Sequence, residues 1–73
     1  MYVITLEEFA ECKKPVRYVV YKYAMLDSAI SRYVSMCLAH KSSEHRDYVN
    51  AEVTLAVDNK VLDSRYFANK RYI

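Results

Sequence analysis

Two cysteines and two histidines are the residues of this chain best suited to hold a metal or to act as nucleophile and base. Cys37 and His40 stand three apart, which sets both on one face of a helix. His45 follows, and Cys12 is a distant fourth donor. Zinc accepts such thiolate and imidazole ligands, but its sites are usually built from paired halves, C-x2-C or H-x3-H. Those halves are missing, and Cys37 falls in an apolar stripe where a small hydrophobe is expected. Cys37 or Cys12 with His40 or His45 would also be the natural nucleophile and base. No third group orients that base, and a chain with no Gly has no Gly loop to form an oxyanion hole. The expectation is a non-enzyme with no catalytic residues, no metal and no cofactor. Missing Gly likewise excludes phosphate loops and dinucleotide fingerprints.

The carboxylates are less distinctive. Glu7, Glu8 and Glu11 read as solvated charge opposing the positive end of a helix dipole. Glu44, His45 and Asp47 read as ordinary loop polarity. The basic and aromatic residues cluster more tellingly. Residues 13–23 contain Lys13, Lys14, Arg17 and Lys22 without an acid, interleaved with Tyr18, Tyr21 and Tyr23. Residues 65–73 contain Arg65, Lys70 and Arg71, again without an acid, beside Tyr66, Phe67 and Tyr72. Tyrosine, of which there are eight, joins a large apolar ring to a polar tip. Tyr and Arg are common at interface hot spots. Lys13, Lys14, Arg17, Tyr18, Tyr21, Lys22, Arg65, Lys70, Arg71 and Tyr72 are therefore the expected partner-binding residues.

Two kinds of partner compete. Cations could track phosphates while rings stack on bases, or the same groups could dock on a larger protein or enzyme complex. A formal net charge of +2 is low for a binder of bare nucleic acid. Protein binding is therefore preferred, as a module that modulates or inhibits a larger enzyme. In composition the chain resembles the small host-takeover proteins of bacteriophages, compact, tyrosine-rich and free of Gly. That resemblance implies a cytoplasmic regulator acting on host RNA polymerase or a defence nuclease. It carries no motif and so assigns no residue. Self-association is a further alternative, because Val19, Tyr23, Leu26, Ile30, Tyr33, Cys37 and His40 recur at heptad spacing.

These residues must be carried by a single domain over 1–73, with 68–73 a basic tail. A chain this short buries only about 60% of its unfolded surface, which favours a docking surface over an enclosed cleft. No apolar run approaches the ~20 residues of a membrane helix. Residues 1–5 lack the pattern of an export signal, so the thiols are expected to be reduced.

Thr5 and Glu8 form a capping box, predicting a short helix over 6–13 with Leu6, Phe9 and Ala10 inward. Pro15 would end it. Residues 16–25, rich in β-branched and aromatic side chains, predict a central strand. The rival is one long helix over 15–41 joined to a β-hairpin. Asp27-Ser28 is a capping pair before a helix to Lys41, with Ile30, Tyr33, Val34, Cys37 and Leu38 as its buried stripe. A polar loop over 41–47 leads to 48–57, where Val49, Ala51, Val53, Leu55 and Val57 alternate inward against Asn50, Glu52 and Thr54. A turn at Asp58-Asn59-Lys60 returns the chain as a second strand over 61–67. Asn50, Asn59 and Asn69 are the residues expected to take positive φ. The predicted class is a small two-layer α+β domain: capped helix, central strand, amphipathic helix and C-terminal hairpin.

Overall fold

The computed structural model describes residues 1–10, 15–41 and 50–68. The described chain runs β1 (Tyr2–Phe9), β2 (Pro15–Tyr23), α1 (Leu26–Lys41), β3 (Asn50–Val57) and β4 (Lys60–Ala68). The four strands make one antiparallel sheet in the order β2-β1-β3-β4. Since β1 opposes both β2 and β3, those two run parallel on either side of it, and α1 is the crossover between them.

This corrects the predicted class. The described residues are mostly sheet, with four antiparallel strands and one helix. The capped N-terminal helix does not form, because residues 2–9 are a strand. Its period of two was hidden by one residue. Tyr2, Ile4, Leu6 and Glu8 share the inward face, and a carboxylate at the last core position broke the apolar alternation. Phe9, expected inward, lies on the opposite face. The strand over 16–25 is β2, an edge and not the centre. A break at Ala24-Met25 rules out the long-helix alternative.

Helix α1 starts at Leu26, where the Ala29 amide donates to the Met25 carbonyl. Asp27 therefore lies in the first turn, beside the positive end of the dipole. The buried seam is Ala29, Tyr33, Met36 and His40, spaced four, three and four, which keeps it on one face. It packs on Ile4, Leu6, Ala51, Val53 and Leu55 from the two central strands. Ala29, fully buried, lets the helix approach closely. Ile30, Val34 and Leu38, expected inside, are exposed. The β3–β4 turn solves its lack of Gly with Asp58 (φ 49°) and Asn59 (φ 66°), as a two-residue loop of positive φ requires. Asn50 is an ordinary strand residue, and Asn69 lies outside the described residues.

Candidate functional site

Strand alternation decides which of the basic and aromatic residues share a surface. On β2, Arg17, Val19, Tyr21 and Tyr23 stand opposite Glu8, Leu6, Ile4 and Tyr2, so they lie on the helix side. Tyr18, Val20 and Lys22 lie on the other side, which no described element covers. Arg65 is on the helix side of β4, at the far edge of the sheet. The first cluster is thus divided between two faces, and the described part of the second sits at the opposite edge. Lys13, Lys14, Lys70, Arg71 and Tyr72 lie outside the described residues.

The bare face carries a cross-strand row that the sequence did not reveal. Tyr18 pairs with Glu7, Glu7 with Glu52, and Glu52 with Tyr66, running β2-β1-β3-β4. Both tyrosines are 60% exposed. Two carboxylates directly opposite one another repel, so the centre of this face is acidic and its margins aromatic. Exposed Val20 and Val61 extend the margins. The row joins residues up to 48 positions apart, 66 less 18, and only the strand register brings them together.

On the helix side, polar groups tie α1 towards β1 and β2. Glu8, 5% exposed, receives His40 Nε2 at 3.3 Å and Arg17 Nε at 3.5 Å. His40 Nδ1 lies 2.8 Å from the Met36 carbonyl. That oxygen only accepts, so Nδ1 carries hydrogen, and a second proton must lie between Nε2 and Glu8 for the contact to be a hydrogen bond. Glu8 is therefore a buried structural partner and not the solvated charge expected of it. Nearer the start of the helix, Arg32 Nε donates to the Tyr23 hydroxyl at 2.9 Å, and its guanidinium lies 4.7 Å from the Tyr21 ring centre.

The Cys37 thiol and the His40 imidazole are each engaged by other residues. Both His40 nitrogens are engaged, by Met36 and by Glu8. Burial pushes the Cys37 thiol up, against a smaller lowering by its hydrogen bond with Tyr33, so little thiolate is present. Burial also raises the Tyr33 phenol, and the bond it donates to Asp63 Oδ2 at 3.0 Å adds to this. Among the described residues no group of three His, Cys, Asp or Glu side chains is placed to hold a metal. Cys12 and His45 lie outside them.

Towards β4 the helix leaves a groove of about 400 Å3, lined chiefly by Ile30, Val34, Leu38, Cys37 and Phe67, with Asp63 and Arg65 on its outer wall. Arg65 Nε lies 3.6 Å from Asp63 Oδ2. Among the described residues no helix is long and apolar enough to cross a membrane. No known protein family, curated protein or solved structure matches the chain.

Proposed function

We propose that this protein is a non-enzymatic binding module that docks on a larger protein through the helix-free face of its sheet. The observation that carries the reading is the row Tyr18–Glu7–Glu52–Tyr66 on a face uncovered among the described residues. Exposed phenols on rigid strands offer contact area at small entropic cost. The two central carboxylates select a partner surface bearing Lys or Arg, whose charge would relieve their mutual repulsion. Nucleic acid is the weaker reading. A phosphate backbone crossing this face would meet Glu7 and Glu52 between the two rings, where an aromatic platform for bases needs cations. Such docking would modulate the partner by occlusion or by holding one conformation.

The test compares wild type with Tyr18→Ala/Tyr66→Ala and with Glu7→Lys/Glu52→Lys, in quantitative affinity purification and in oligonucleotide gel shifts. A stoichiometric protein retained by wild type and lost from both variants, with unchanged circular dichroism, supports the reading. Retention indifferent to both variants overturns it. So does a salt-sensitive oligonucleotide shift that Glu7→Lys/Glu52→Lys strengthens.

A further inference from the structure

The sheet ends in β2 on one side and β4 on the other, and the two edges are built differently. Among the described residues no backbone hydrogen bond reaches the outer side of either strand. Such an edge is a template for another strand unless charge, Pro or a bulge blunts it. β2 is blunted. It begins at Pro15 and carries Arg17 and Lys22 with no acid, so a second β2 would bring only more positive charge. β4 instead carries an acid and a base, Asp63 and Arg65, on either side of Ser64. It is exposed from Lys60 to Tyr66, and its one register shift, at Leu62, lies outside the run from Asp63 to Ala68.

We propose that β4 pairs antiparallel with β4 of a second copy about a two-fold axis at Ser64, joining two four-stranded sheets into one. A two-fold axis normal to the sheet sets one residue opposite its own copy. With Ser64 in that place, Asp63 meets Arg65 twice and Leu62 meets Tyr66 twice. The neighbouring symmetric registers fail. Centring on Asp63 sets carboxylate against carboxylate, and centring on Arg65 sets guanidinium against guanidinium, which destabilises directly opposed strand positions. Ser64 is also the midpoint of Lys60–Ala68, so the favoured register is the one of longest overlap.

The charged groups are already held in position. Asp63 and Arg65 stand opposite Leu55 and Val53, on the helix side of the sheet. Tyr33 donates to Asp63 Oδ2 at 3.0 Å, and Arg65 Nε lies 3.6 Å from the same oxygen. The other carboxylate oxygen is left for the guanidinium of the second copy, and Arg65 has further N–H donors to give. Tyr18, Glu7 and Glu52 take no part in the seam, so the pairing does not depend on what the helix-free face binds.

The experiment is sedimentation equilibrium of the full chain, with a cross-link as the test of register. Wild type should be a dimer. Asp63→Lys and Arg65→Glu each turn two opposite pairs into two like pairs and should each weaken association roughly 30-fold. An equal mixture of the two variants should associate as tightly as wild type, because each then meets its opposite charge in the other. In a Cys12→Ser/Cys37→Ser background, Ser64→Cys should oxidise to a covalent dimer, while Val20→Cys on β2 should not. A monomeric wild type at millimolar concentration overturns the proposal. So does a mixture no tighter than the single variants, or a dimer cross-linked through position 20 and not 64. If circular dichroism finds Asp63→Lys unfolded by loss of the Tyr33 bond, Arg65→Glu and the cross-link decide.

Discussion

The two flanks of the helix are finished in opposite ways. Towards β2, Arg32 reaches down to Tyr21 and Tyr23, and further along His40 and Arg17 converge on buried Glu8. Polar pairs close that side and fix where the helix lies. Towards β4, a hydrogen bond from Tyr33 to Asp63 spans an open apolar groove. Directional contacts anchor one flank, while the other carries the exposed apolar residues Ile30, Val34 and Leu38. A four-stranded sheet is wider than one helix, so one helix can complete only one side.

The largest effect expected from this contrast falls on the anchored side. Glu8→Ala leaves His40 and Arg17 without their shared carboxylate and should cost about 3 kcal/mol in urea unfolding. The apolar pair Glu8→Leu/His40→Leu should recover most of that. A loss below about 1 kcal/mol for Glu8→Ala would mean that the buried pair does not anchor the helix.

Next in size is a paired comparison across the helix. Tyr23→Phe removes the acceptor for Arg32 and should lower stability in urea unfolding by much less than Glu8→Ala. Leu38→Lys, on the 60% exposed residue, should change stability by no more than about 0.5 kcal/mol. Reversal of that pattern would exchange the roles of the two flanks.

The smallest expected effect is an alkaline limb. Burial raises Tyr33 from its ordinary 10.0 and Cys37 from 9.0, so both stay neutral in the fold where the unfolded chain ionises. The folded state then binds more protons than the unfolded one, and stability falls as pH rises above about 9. Below that it is fully present as far as these groups are concerned. Ultraviolet titration should find Tyr33 the last of the tyrosines to ionise, and Cys37 should alkylate more slowly than a free thiol at pH 8.

Much of the right-hand half of the chain was legible. Ala51, Val53 and Leu55 alternate with Asn50, Glu52 and Thr54, and the sheet buries the first set. Asp58-Asn59 marked a turn, and it is one. The left-hand half misled because Thr5 and Glu8 satisfy a capping box locally while serving a strand globally. Glu8 is tolerated inside only because Arg17 and His40, 9 and 32 residues away, come to it. The helix stripe was misjudged for a related reason. Ile30, Val34 and Leu38 are as apolar as the seam that is buried, and composition does not reveal which side of a wide arc the sheet covers.

Short-range physics was decided by sequence alone: the turn chemistry, the alternation of β3, the helical period of α1, the exclusion of Gly-built sites and the near balance of charge. The first three depend on residues within a few positions of one another, and the last two on composition alone. Tertiary structure alone decided that 2–9 is a strand, that Tyr18 and Tyr66 flank Glu7 and Glu52, and that one side of the helix is tied down by polar contacts while the other leaves Ile30, Val34 and Leu38 exposed. Those outcomes depend on strand register and on contacts between distant residues, whose energies outweigh local preference.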